Sequence, residues 1–186
     1  MADTGEITQL LSAYRDGDRG AWDRLVPLVY DDLRRIARRQ LSRHVRALTL
    51  DTTALVHEVY LKMARQEGLQ VRDRAHLLAV TACAMRQVIV SFARARTAEK
   101  RGGGEAPLSL DESLLSIEDQ AEQLLDIDRA LQELRRHSER MAQVVECRFF
   151  GGLSDDETAS ALDISRRTVQ REWMRARAWI LEHLST

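Results

Sequence analysis

Residues 153–173 read LSDDETASALDISRRTVQREW, and this stretch decides the fold of the C-terminal third of the chain. Ser154 and Glu157 form an S-x-x-E capping box after the Gly151-Gly152 stop, the signature of a helix start. Ala159, Leu162, Ile164, Val169 and Trp173 have the spacing of two short helices crossing on a shared core, with Ala159 small where they must approach closely. Leu162-Asp163-Ile164 makes the turn. Asp163 stands where a positive φ is needed, and Asp tolerates that region better than most residues. Ser165 is placed to cap the second helix. These signals predict a helix-turn-helix with helices over about 155–162 and 166–184.

The second of these helices has two unlike sides. Val169, Trp173, Ala176 and Ile180 recur at helical spacing and are expected to be buried. The opposite side shows Arg166, Arg167, Gln170, Arg171, Met174 and Arg175, and residues 165–179 carry five Arg against one Glu. In a DNA-binding helix-turn-helix the N-terminal part of the second helix enters the major groove. There Arg can donate a bidentate pair to guanine and Gln one to adenine. Arg166, Arg167, Gln170 and Arg171 are the expected base readers, and Arg175 lies nearer the phosphates.

Outward from this stretch the pattern stays helical. Residues 139–150 and 123–136 precede it as two further helices. Near the N-terminus, Ile7, Leu10, Leu11 and Tyr14 mark a helix over about 6–16, broken by Asp16-Gly17-Asp18. Residues 20–42 continue with a stripe of Trp22, Leu25, Val26, Val29, Leu33, Ile36 and Leu41. A third helix starts at Asp51 or Thr52 and carries Leu55, Val56, Val59, Tyr60 and Met63. A fourth, over 73–98, is rich in Ala and Leu and ends among Arg94, Arg96, Lys100 and Arg101. No period-two strand pattern persists, so the expected class is all-α.

Charge divides the 186 residues into blocks. Residues 1–98 hold 16 basic and 11 acidic side chains, net +5; residues 99–128 hold 2 and 9, net −7; residues 129–186 hold 10 and 9, net +1. The Gly102-Gly103-Gly104 run disfavours helix. Residues 99–122 therefore read as an acidic flexible linker between a domain at 1–98 and a domain at 123–186. A chain of that length reaches roughly 80 Å at about 3.4 Å per residue, or about two turns of DNA. Two anion-binding lobes on a tether is the pattern.

Composition excludes other classes. The chain has two cysteines, Cys83 and Cys147, far apart and inside helical patterns, which rules out a disulfide framework or a CxxC metal site. No run approaches 18 apolar residues, so no membrane span is expected. The acidic start lacks a basic-then-apolar signal, and a soluble cytoplasmic protein is expected. His44, His57, His76, His137 and His183 show no metal-ligand spacing. The three glycines lack the Lys-Ser/Thr of a phosphate loop, and no nucleophile has a base nearby in pattern. No catalytic residue, metal or cofactor is expected.

With these motifs in view, the chain resembles the extracytoplasmic-function (ECF) sigma factors, initiation subunits of bacterial RNA polymerase with two helical domains, sigma-2 and sigma-4. The 153–165 run with Thr168-Val169 resembles sigma-4. Leu55-Val56-His57-Glu58-Val59-Tyr60-Leu61-Lys62-Met63 resembles sigma-2 and is the more specific match. Ala84-Met85-Arg86-Gln87 and Lys100-Arg101-Gly102-Gly103-Gly104 resemble one subgroup, common in bacteria with many eukaryotic-type Ser/Thr kinases. The resemblance implies that sigma-2 docks on the β′ clamp helices of core RNA polymerase through Asp51, Thr52, Thr53, Leu55, His57 and Glu58. It also implies that sigma-2 opens the −10 promoter element, with Arg86, Arg94 and Arg96 against the DNA backbone. Sigma-4 would read the −35 element and touch the β flap.

The chain departs from the family at two places. Family members carry Asp-Ala-Glu-Asp where this chain has Asp51-Thr52-Thr53-Ala54, so two carboxylates are missing from a charge-complementary interface, which weakens docking. Phosphorylation at Thr53, or at Thr52, by a Ser/Thr kinase would restore about −1.5 to −2 charge. At about 1.5–3 kcal/mol per charge-assisted hydrogen bond, one or two such bonds amount to about tenfold to a thousandfold or more in affinity. The opposing reading is that Asp51 or Thr52 only caps the helix and neutral docking suffices. The second departure is the lack of aromatics in the fourth helix: Phe92 alone could stack on an opened base, and its spacing favours the core. Whether an anti-sigma factor acts on the chain is open at this level. The competing function is a stand-alone helix-turn-helix transcription regulator, which leaves the Leu55–Met63 run unexplained.

Overall fold

A computed structural model describes residues 4–44, 51–65, 70–102 and 112–184. Among them are eight α-helices, one π-helical turn and no strand, so the chain is all-α. In chain order the helices are α1 (Thr4–Arg15), α2 (Gly20–His44), α3 (Thr52–Ala64), α4 (Arg74–Gly102), α5 (Glu112–His137), α6 (Glu139–Val145), α7 (Asp155–Leu162) and α8 (Arg166–Leu184). The π turn, Glu146–Phe150, continues α6.

The first four helices form one lobe. Their apolar residues recur at the helical period and so share one face of each helix. Ile7 and Leu11 of α1 meet Trp22, Leu25, Val29, Leu33, Ile36 and Leu41 of α2, Leu55, Val56, Val59 and Met63 of α3, and Leu77, Met85 and Ile89 of α4 in a single buried cluster. Pro27 lies inside α2 and removes one internal hydrogen bond. The rings of Tyr14, Trp22 and Tyr60 pack in sequence, with centroids 5.4 and 6.4 Å apart. The Tyr60 hydroxyl donates to Asp23 at 2.7 Å, joining α3 to α2, and that hydrogen bond to a carboxylate raises the phenol's pKa.

Residues Arg74–Ala95 of α4 are long and on average apolar enough for a membrane helix, but His76, Thr81, Arg86, Gln87 and Ser91 interrupt them, so there is no unbroken apolar run. More than half of the stretch is buried inside the protein. Its apolar character is that of a central core helix, packed against α3, α5, α7 and the π turn.

A second, smaller cluster joins Leu131 and Leu134 of α5, Met141, Ala142 and Val145 of α6, Phe150, and Ala176 of α8, with Trp173, Trp179 and Ile180 half-buried beside it. The stretch expected to be a flexible tether is helical at both ends. α4 runs on to Gly102 and α5 begins at Glu112, while residues 103–111 lie outside the described residues. Helix α5 belongs to both lobes: Ala121 and Leu124 lie in the first cluster, Leu131 and Leu134 in the second.

The two lobes pack directly on one another. Cys147, Leu153 and Ala161 from the second half join the first-lobe core. Arg39 of α2 donates to the Gly152 carbonyl at 3.3 Å, and Arg72 donates to the Ala161 carbonyl at 2.8 Å. The approach at Gly151 is close enough that an added Cβ would stand 3.0 Å from the Ala82 methyl on α4. Gly152 has φ +66°, a conformation that glycine adopts without a steric penalty.

Candidate nucleic-acid interface

Local hydrogen bonds define α7, the turn and α8. The Glu157 amide donates to the Ser154 hydroxyl at 3.1 Å, and the Ser154 amide donates to the Glu157 carboxylate at 2.8 Å, the reciprocal capping box expected from the sequence. Burial pushes the Glu157 pKa up. The hydrogen bonds from Ser154 and the charges of Arg35 and Arg74 outweigh it, so the net direction is down. Asp163 takes the left-handed conformation, φ 55° and ψ 48°, as the turn requires. Ser165 accepts from the Thr168 amide at 3.1 Å and opens α8.

The buried side of α8 differs from the expectation in one respect. Val169 and Ala176 are fully buried, but Trp173 and Ile180 are only half-buried. The side chain between them that goes under is Glu172. Its carboxylate accepts from Arg171 Nε and Nη2 at 3.0 and 2.8 Å and from Arg175 Nη1 at 3.2 Å. A buried anion thus holds two exposed guanidinium groups at defined angles on the outer face. Its position three residues after Val169 was the available signal, masked by its charge.

Arg166, Arg167, Gln170, Arg171 and Arg175 are all exposed on α8, as predicted. Two of them lean on α7. Gln170 donates to Asp155 at 2.9 Å, and Arg166 pairs with Asp156 at 3.5 Å. Arg148 also pairs with Asp155, at 3.1 Å, and lies 4.6 Å over the Trp173 ring. The Arg166–Asp156 pair is exposed on both sides and contributes little, so Arg166 is available to exchange carboxylate for phosphate or base.

On the first lobe, Asp51 caps α3 by accepting from the Ala54 amide at 2.8 Å. Thr52 is half-buried, while Thr53, His57 and Glu58 are exposed on α3. Leu55 does not belong with them: it is fully buried in the first core, because at helical spacing it falls in line with Val59 and Met63. Phe92, expected in the core, is instead 42% exposed on α4.

The three α4 arginines expected at the −10 element separate. Arg86 is buried and ion-paired with Asp128 and Glu146, so in this arrangement it faces no solvent-borne DNA. Arg94 is exposed and donates one hydrogen bond to Asp128 at 2.9 Å. Arg96 lies on α4, with its side chain outside the described residues.

The all-α fold thus presents an arginine-rich helix, α8, on a capped tight turn. The ECF sigma factor family model matches residues 4–186. The chain belongs to the ECF sigma factor family, whose members direct initiation of transcription with core RNA polymerase at promoter DNA and are not enzymes. No curated protein matches the chain.

Proposed function

We propose that the protein binds core RNA polymerase through the exposed face of α3 and the β′ clamp helices, and that α7 and α8 act as a helix-turn-helix reading the −35 element beside the β flap. Arg166, Arg167, Gln170 and Arg171 read base edges, with Arg175 at the backbone. Arg94, Arg96 and, once uncovered, Arg86 serve the −10 element. Phe92, exposed on α4, is the one aromatic there for an unstacked base. The protein acts in the cytoplasm, where the polymerase works.

Docking is switched on by a Ser/Thr kinase acting at Thr53, with Thr52 the second choice. The observation that carries this reading is that Thr53 is exposed in a first helical turn that holds no acidic residue. A phosphate there is favoured by the N-terminal end of the helix dipole and supplies the charge that the family motif carries as carboxylates. With such a switch no anti-sigma factor is required.

The test is affinity for core RNA polymerase, compared among wild type, Thr52→Ala, Thr53→Ala and kinase-treated wild type. Weak binding that tightens about tenfold or more on phosphorylation, and does not tighten in Thr53→Ala, supports the switch. Equally tight binding by all forms sinks it. The family match along nearly the whole chain does not favour a stand-alone regulator, which would bind duplex promoter DNA specifically without polymerase.

A further inference from the structure

Gln170, exposed on α8, is held by its amide nitrogen, which donates to Asp155 Oδ2 at 2.9 Å. A glutamine amide can turn over and offer either its nitrogen or its oxygen, whereas an ionised carboxylate only accepts. Chemistry therefore settles which end faces Asp155. One of the two N–H groups of Gln170 is committed to a charged acceptor, a stronger bond than one between neutral groups.

Asp155 is a firm support for that contact. It is the first residue of α7, whose start is fixed by the reciprocal capping box of Ser154 and Glu157. Its side chain is 17% exposed, and Arg148 of the π turn pairs with Oδ1 at 3.1 Å. The Arg148 guanidinium is in turn laid over the Trp173 ring of α8 at 4.6 Å. Arg166 is a more distant neighbour of the same carboxylate, its Nε 4.0 Å from Oδ2, and its Nη1 turns to Asp156. Oδ1 thus faces a cation and Oδ2 faces Gln170.

What the Gln170 amide still offers is one N–H beside one carbonyl oxygen. In the major groove adenine presents the complement of that pair, the N7 acceptor beside the N6 donor. Guanine presents two acceptors, N7 and O6, and would set O6 against the glutamine oxygen. An untethered glutamine can turn both N–H groups toward guanine; one tied to Asp155 cannot. Cytosine and thymine each supply a hydrogen-bonding partner for only half of the pair.

We infer that Asp155 is a specificity-determining positioning residue: acting through Gln170, it fixes the amide orientation and commits that side chain to adenine against guanine at one position of the DNA. This rests on the proposed reading of Gln170 as a base reader.

The experiment has two arms. In the free full-length chain, the Gln170 side-chain amide resonances are assigned by nuclear magnetic resonance from their loss in Gln170→Ala. Asp155→Asn is expected to move them, and unmoved resonances overturn the hold. In the second arm, core RNA polymerase carrying the full-length chain selects from a randomised duplex DNA library, and the bound sequences are read. Gln170→Ala marks the position that Gln170 reads, where the adenine preference disappears.

At that position Asp155→Asn is expected to lower the adenine-to-guanine ratio about tenfold or more and to tip it toward guanine. The asparagine oxygen stays with Arg148, its NH2 group turns to the Gln170 oxygen, and both glutamine N–H groups then face outward. Asp155→Ala, which only frees the amide, should lower the ratio by less, and it decides the matter if Asp155→Asn misfolds. An unchanged ratio in a holoenzyme that Gln170→Ala does alter overturns the inference. So does a uniform loss of affinity at every position, which would reduce Asp155 to a support of the fold. If Gln170→Ala changes no position, base reading by Gln170 fails first and the inference falls with it.

Discussion

Arg86 on α4 and Asp128 on α5, forty-two positions apart in sequence, form an ion pair almost wholly out of water, and Glu146 closes it from the π turn. Removing one member strands the rest. Arg86→Met is expected to cost about 3–5 kcal/mol, because it leaves two carboxylates buried without their main counter-charge. Arg94→Ala, whose side chain is 60% exposed, should cost under about 1 kcal/mol. Urea unfolding of the two variants measures the contrast, and equal losses would contradict the burial argument.

Helix α3, proposed above to face the polymerase, separates a structural from a docking role. Leu55→Ala should destabilise the protein by about 2–5 kcal/mol through a core cavity. His57→Ala and Glu58→Ala, on the exposed face, should unfold within about 0.5 kcal/mol of wild type yet weaken polymerase binding. Thermal unfolding beside a polymerase titration checks both halves.

Glu172 orients two arginines from beneath. Glu172→Gln keeps the shape but removes the charge that holds Arg171 and Arg175. Promoter affinity in the polymerase complex should fall severalfold, at about 1.4 kcal/mol per decade, although Glu172 is itself buried. Filter binding of wild-type and variant holoenzyme reads the effect, and unchanged affinity would reduce Glu172 to a packing residue.

The capping box predicts a pH signature. The Glu157 carboxyl lies below its ordinary 4.5 in the folded chain, so its charge contributes stability above that pH and loses it as pH falls through the depressed value. The stability difference between wild type and Glu157→Gln should be present at pH 7 and vanish in strongly acidic solution. Ser154→Ala, which removes the other half of the box, should cost about 0.5–2 kcal/mol. Urea midpoints across a pH series test both.

Much of the candidate site was legible along the chain. The capping box, the left-handed Asp163, the Ser165 cap and the exposed arginines of α8 each rest on residues within four positions of one another, and such short-range signals need no knowledge of the rest of the fold. The same holds for Asp51, whose side chain bonds an amide three residues on. Leu55 and Phe92 were misjudged, and the burial of Glu172 was not foreseen, for the opposite reason. A helix face is visible in the spacing, but a position at its edge goes to solvent or core according to which helix arrives beside it.

The helical class, the capped turn and the basic outer face of α8 were therefore settled by local chemistry and periodicity. The destination of Arg86 was not. Its charge marked it as a phosphate contact, and only the fold, by laying α5 and the π turn across α4, brought Asp128 and Glu146 to it from 42 and 60 positions away. The same packing turned the ends of the expected tether into helix and placed Cys147 in the core of the opposite lobe. Periodicity records that a residue is apolar and on which face it lies. It carries no record of which distant surface that face will cover, because burial against a neighbour is non-directional and is settled by shape and area across the whole molecule.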